Sequence, residues 1–135
     1  MFRRFVAASS VGSVVIALAA LGVLMLAPDP RNFYLLTAAW CFVPLVWGLW
    51  AMFAPLEWVP RRLPVWGAIL GIIAGVMAGF VLNLPSRLSG QPVSAGLRSI
   101  VVLAGPAIYY LLWLLVRTAY QSLASTSDPA GAARS

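Results

Sequence analysis

Side chains that commonly carry catalysis or bind metal ions are scarce in this sequence. It contains no histidine and no lysine, and its only carboxylates are Asp29, Glu57 and Asp128. A long apolar segment separates the first two, and the third lies in a polar tail, so no two acids converge for general acid–base catalysis. Without histidine, the chain alone cannot bind a metal ion or haem through histidine ligands. Without lysine, it cannot form a Schiff base through a lysine side chain. We predict no catalytic residues, no metal site, no cofactor and no enzymatic activity.

The only cysteine, Cys41, lies in the middle of an apolar segment. A single cysteine can form neither a disulfide within the chain nor a redox pair. We therefore interpret Cys41 as a small, buried apolar residue.

Two prolines within apolar segments could shape a binding site. Each lacks the N–H that would bond the carbonyl four residues earlier, and Pro106 lies one turn before Tyr109 and Tyr110. Broken helices of this kind line some transporter sites. They also occur as plain kinks whose freed carbonyl is satisfied by a neighbouring helix. We prefer the kink, and the alternative is a pocket formed by Pro44, Pro106, Tyr109 and Tyr110.

Arg87 and Arg98 lie in a connection rich in glycine, serine and proline, residues 85–99. Guanidinium groups bind phosphate through two parallel hydrogen bonds, so both arginines are candidates for contacting a lipid headgroup. The alternative, which we prefer, is that both side chains stay solvated or extend toward the membrane surface. The glycine-rich phosphate loop of nucleotide-binding proteins is absent.

The overall composition is typical of an integral membrane protein. Hydrophobic residues make up 62% of the chain and charged residues 9%, whereas soluble domains are about 25% charged. Four apolar segments lack Asp, Glu, Lys and Arg, and each approaches the roughly 20 residues that a transmembrane helix needs. We predict an all-α, polytopic bundle of four transmembrane helices with short loops in residues 1–123, followed by a flexible cytoplasmic tail, residues 124–135. The predicted helices cover residues 5–27, 33–54, 65–84 and 100–116, the last with an extension to 123.

Arginines are unevenly distributed between the two sides of this predicted bundle. Six fall on the side of the termini and three on the other: Arg3, Arg4, Arg61, Arg62, Arg117 and Arg134 against Arg31, Arg87 and Arg98. The positive-inside rule then places both termini in the cytoplasm, in a bacterial inner or plasma membrane. We expect the first segment to remain as a helix, because it is longer than the apolar part of a cleaved signal peptide. Arginines beside anionic lipids explain the basic charge, so no nucleic-acid partner is predicted.

The third apolar segment carries a glycine at every fourth position: Gly67, Gly71, Gly75 and Gly79. In a water-exposed helix each would cost about 1 kcal/mol relative to alanine. In lipid, small residues at this spacing allow two helices to approach closely. We therefore predict that these glycines form a helix contact.

The first segment offers a matching set of small residues, Ser9, Ser13 and Ala17. The first and third helices run parallel in a four-span topology, so we predict that these residues fill the glycine face. The alternative is that the third helix contacts its own copy across a two-fold axis.

Aromatic residues mark the second segment and the connection after it. Phe33, Trp40 and Trp47 recur every seven residues, which favours a ridge that packs against helices or lipid, with a ligand-stacking wall as the alternative. Trp58 and Trp66 flank a basic connection and are interpreted as anchors at the membrane surface.

Three function classes remain open, and these residues indicate no family resemblance. We prefer an accessory, scaffolding or assembly subunit of a larger membrane complex, because the loops are short and one helix is suited to contact. The alternative is a small homo-oligomeric transporter or channel for an apolar or lipid-like substrate. An interfacial enzyme is the least favoured class. The expected partners are the lipid bilayer and either another membrane protein or a second copy of the chain.

Overall fold

The structure is a computed structural model that describes residues 1–26 and 30–125, without the side chains of residues 30–32, 35 and 88. This part of the chain is helical and contains no strand. The helices are α1 (Phe2–Leu26), α2 (Pro30–Met52), a 3₁₀ turn (Leu56–Trp58), α3 (Leu63–Val76) with a π-helical continuation (Met77–Val81), α4 (Leu84–Ser89) and α5 (Ala95–Ser125). The predicted tail, residues 124–135, lies almost entirely outside the described residues.

Three helices are long and apolar enough to cross a membrane: α1, α3 with its π-helical continuation, and α5. The all-α prediction and the membrane character are therefore supported. The apolar stretch described in α2, Leu36–Met52, is shorter. A bundle with four spans stays a prediction.

The connection expected in residues 85–99 differs from the sequence prediction. It contains α4, and α5 already begins at Ala95. Left-handed backbone at Asn83 (φ 49°) and Gly90 (φ 69°) bounds α4 on both sides, and Pro85 supplies a favourable φ in its first turn. These turns fold the connection back on itself.

The long helices form two antiparallel pairs, α1 with α2 and α3 with α5. In the first pair, Ser9 Oγ donates a hydrogen bond to the Pro44 carbonyl at 2.9 Å. The buried Arg4 donates from Nη1 to the Ala54 carbonyl at 2.8 Å, just beyond the C-terminus of α2. A cation at this position satisfies a helix-end carbonyl and suits the helix dipole. The pairs also meet through α1 and α5, whereas α2 and α3 meet mainly through the side chains of Trp50 and Trp66.

The glycines of α3 face α5. A Cβ atom on Gly71 would lie 2.7 Å from the Gly105 carbonyl oxygen, and one on Gly75 would lie 3.1 Å from the Val102 Cα. At Gly67 the space that a Cβ would fill is occupied by the Trp113 ring. The backbones of α3 and α5 therefore approach too closely at Gly71 for a side chain, and a Cβ at Gly75 would fit only tightly.

The predicted pairing of these glycines with α1 is wrong in its partner. Ser9 of α1 approaches Gly48 of α2 instead. A Cβ added at Gly48 would collide with Ser9 and with the Phe5 ring. Ser13 Oγ donates to the Ser9 carbonyl of its own helix, and Ala17 is half-buried. Ser9 and Gly12 thus belong to the contact with α2, where Gly12 and Gly48 leave room.

An aromatic cluster joins the two pairs: Trp47, Trp50, Trp66, Tyr109 and Trp113. The Trp50 and Trp66 rings stack at 4.8 Å, and each indole N–H donates to the other residue's carbonyl, at 2.9 and 2.8 Å. The Trp47 ring lies 5.9 Å from that of Trp113. Trp66 also contacts Trp58 edge to face, with ring centroids 6.0 Å apart. The role of these two residues as anchors at the membrane surface stays a prediction.

The cluster lies toward the end of the molecule where the N-terminus, the 3₁₀ turn and the last turns of α5 converge. We call this end of the molecule the arginine-rich end. Five arginines lie there: Arg3, Arg4, Arg61, Arg62 and Arg117. Tyr34 and residues 83–94 form the opposite loop end. The α2–α3 hairpin is thus closed at the arginine-rich end and open toward the loop end.

Replacing Gly71 with alanine should lower stability, although alanine is the better helix former. The new Cβ would meet backbone and Tyr109 Cβ atoms at 2.7 Å, which a rotamer change cannot relieve, and overpacking of this kind costs about 1–3 kcal/mol. Gly22→Ala is the matched control, because nothing lies within 4 Å of a Cβ at that position. Thermal unfolding in detergent micelles should show a lower midpoint for Gly71→Ala alone. Equal midpoints for the two variants would contradict the close α3–α5 contact.

Candidate functional site

A crevice between the two helix pairs is the main cavity of the described chain that lies within the apolar region. Its volume is about 570 Å³. One wall of the crevice belongs to α2 and includes Leu36 and Val43. The facing wall belongs to α3 and its continuation and includes Leu70, Ala74 and Met77. The glycines of α3 face α5, and the residues of α3 that line the crevice lie on the adjacent face of the helix, toward α2.

The crevice is almost entirely apolar. The only hydroxyl-bearing side chain in its lining is that of Tyr109, and Trp47 closes it toward the aromatic cluster. α1 contributes Ile16 and Val23 at the back. No acid, amide or cation reaches it from the described residues, so it can bind apolar matter but offers no group for acid–base or nucleophilic chemistry.

The candidate pocket around the prolines is only partly assembled. Of its four residues, Tyr109 lines the crevice. Pro44 faces α1, where its carbonyl accepts from Ser9, and Tyr110 is exposed on another face of α5. Pro106 is half-buried and lies outside the crevice lining. Sequence reasoning missed the alanine and leucine residues of α3 that form the wall, because the helix face beside the glycines carries no distinctive pattern.

Arg87 and Arg98 do come together. Both line a second cavity of about 680 Å³ at the loop end, which we call the cationic pocket, together with Tyr34, Asn83, Ser86, Gly90, Gln91 and Pro92. Arg98 Nε donates to the Val93 carbonyl at 3.2 Å, and the Val93 N–H donates to Ser86 Oγ at 3.0 Å. These bonds hold the connection against the start of α5.

Asn83 and Tyr34 add an amide group and a phenol hydroxyl to the lining of the cationic pocket. The Asn83 Oδ1 atom is buried and has no hydrogen-bond partner among the described residues. A buried acceptor without a donor is costly. The sequence singled out neither residue for this site, because their approach depends on the turn at Asn83 rather than on spacing.

The aromatic ridge of α2 is divided between two environments. Trp47 is buried in the aromatic cluster, whereas Phe33 and Trp40 are exposed. Cys41 is also exposed, so its interpretation as a buried residue is wrong.

Within residues 1–26 and 30–125, no group of three or more His, Cys, Asp or Glu residues could hold a metal ion. What the arrangement can do is bind: an apolar crevice lies beside a pocket with two guanidinium groups. In comparisons with known proteins, no family model, no curated protein and no solved structure matches this chain.

Proposed function

We propose that the chain is a four-span integral membrane protein that binds a lipid-like molecule from within the bilayer. Of the classes open from the sequence, this favours a small transporter or carrier of an apolar substrate over an accessory subunit. The observation that carries the proposal is the apolar crevice between α2 and α3.

The fourth span is supported by the full length of α2. Its 23 residues would measure about 34 Å, enough for a hydrocarbon core of about 30 Å. Because the pairs are antiparallel, four spans put both termini on one side, at the arginine-rich end. The positive-inside rule then assigns that side to the cytoplasm.

Reporter fusions test this topology. A fusion after Ser135 should report the cytoplasm, and an insertion between Gly90 and Gln91, in the connection before α5, should report the exterior. The reverse result would contradict the arginine argument. Both reporters on one side would contradict the four spans.

A crevice of this kind suits a ligand with hydrocarbon chains. Its volume falls in the range of about 300–1,000 Å³ that ligand sites occupy. The facing walls are apolar and are held apart, because α3 is fixed to α5 while α2 is fixed to α1. Dispersion contacts that the walls cannot make with each other are then available to a hydrocarbon chain. Lipid reaches the crevice laterally, through the gap between α2 and α3.

Filling the crevice should remove the ligand. Ala74→Phe places a ring in the space between α3 and α2, whereas Ile73→Phe, one residue earlier, adds a similar side chain at an exposed position. Native mass spectrometry of the detergent-purified protein should show bound lipid on the wild type and on Ile73→Phe, and little on Ala74→Phe. Equal lipid binding by all three proteins would contradict the proposal.

The accessory-subunit class is favoured by one observation. Trp40 lies mid-helix and is half exposed, and its indole N–H has no partner among the described residues. Tryptophan usually lies near the membrane surface, where this group meets water. A partner helix could accept its hydrogen bond.

For the subunit class, Trp40→Leu should release a stoichiometric protein partner from complexes purified from native membranes, while Ala74→Phe should retain it. If no protein copurifies in stoichiometric amount with the wild type, the subunit class is excluded and the lipid-binding proposal stands alone.

A further inference from the structure

We propose that the cationic pocket binds the phosphate of an anionic phospholipid whose chains lie in the adjacent crevice. This inference rests on the proposed function and names its ligand class. It assigns to Arg87 and Arg98 the selection of the headgroup and to the crevice the binding of the chains.

The cationic pocket contains two guanidinium groups and no carboxylate among its lining residues. In residues 1–26 and 30–125 the only side-chain carboxylate is Glu57, which lies in the 3₁₀ turn at the arginine-rich end. Arg98 is half-buried and lies in the first turn of α5, a turn without an acidic residue, where the helix dipole opposes a cation. Arg87 shares the same pocket. An anion between the two guanidinium groups relieves both the repulsion and the unfavourable dipole.

Both guanidinium groups of the cationic pocket have terminal nitrogens that are free to donate to a ligand. Arg98 uses Nε for the Val93 carbonyl, which fixes the plane of the group and leaves its two terminal nitrogens as donors. Arg87 is exposed and makes no hydrogen bond to the described residues. Two guanidinium groups with free terminal nitrogens match the oxygens of a phosphate. The unpaired Asn83 Oδ1 lies in the same lining and can accept from a headgroup hydroxyl after a small side-chain rotation.

The cationic pocket adjoins the apolar crevice, an arrangement that favours a phospholipid over free phosphate. Consecutive residues of the chain line different cavities. Leu82 and Leu84 line the crevice, and Asn83 between them lines the cationic pocket. On α2, Leu36 lines the crevice and Tyr34 lines the pocket. A ligand that filled both spaces would have a phosphate at the loop end and hydrocarbon directed toward the middle of the membrane, which is the shape of a phospholipid in the outer leaflet.

The test compares phosphatidylglycerol with phosphatidylcholine on the purified full chain, with bound lipid measured by native mass spectrometry. Both lipids carry the same acyl chains. The wild type should prefer phosphatidylglycerol by about tenfold, because both lipids carry the phosphate diester but the choline of phosphatidylcholine adds a cation that the two guanidinium groups repel. Arg87→Gln and Arg98→Gln should each weaken the binding of both lipids and should abolish most of the preference for phosphatidylglycerol. Arg61→Gln, which removes the same charge at the arginine-rich end, should retain it.

Two further measurements separate the explanations. Arg87→Lys keeps the charge at an exposed position and should retain most of the preference, which shows that the glutamine variants lose selectivity through charge rather than through folding. Inorganic phosphate in excess should not displace phosphatidylglycerol, and displacement would overturn the phospholipid assignment. An unchanged preference in both Arg87→Gln and Arg98→Gln would overturn the inference while lipid bound in the crevice still supports the proposed function. Lipid binding that survives Ala74→Phe would instead contradict the proposed function itself.

Discussion

The close contact between α3 and α5 is the constraint on which the rest of the structure depends. Lipid gives apolar helices little hydrophobic reason to associate, so the association relies on dense packing of the backbones. Gly71 and Gly105 provide this, since each lies where a Cβ would come within 2.7 Å of the other's carbonyl oxygen. With its glycine face against α5, α3 presents Leu70, Ala74 and Met77 toward α2 on an adjacent face, and these residues line the crevice.

The same contact explains why the hairpin is closed at only one end. Trp113 fits against Gly67 near the arginine-rich end and is fully buried, which brings its ring to Trp47 of the other pair. The Trp50–Trp66 stack with its two reciprocal hydrogen bonds closes the same end between α2 and α3. Burial of the Trp113 indole N–H without a partner among the described residues opposes this arrangement. Aromatic packing over several rings offsets that cost.

Part of this architecture could be read from the sequence, and the limit has a physical cause. Hydropathy indicates membrane helices because the bilayer imposes their length, and the spacing of Gly67 to Gly79 shows that these residues share one face. Spacing does not show which neighbour covers that face. On α5 the glycine face is covered by one small residue, Gly105, beside Pro106, and by the large side chain of Trp113. The sequence of α5 therefore contains no stripe of small residues that would identify it as the partner. The cationic pocket depends on left-handed backbone at Asn83, an uncommon conformation that local pattern does not reveal.

Disulfide cross-linking at Gly79 tests the central contact most directly. In a Cys41→Ala background, a cysteine at position 79 can be paired with Val102→Cys on α5 or with Ala17→Cys on α1. A Cβ at Gly79 would lie 3.3 Å from the Val102 side chain, so mild oxidation should form an intramolecular disulfide with position 102, detected by loss of both thiols to alkylation in the intact mass. The thiols at 79 and 17 should stay reactive. A disulfide between 79 and 17, or covalent dimers of the Gly79→Cys chain alone, would contradict the assignment of the glycine face to α5.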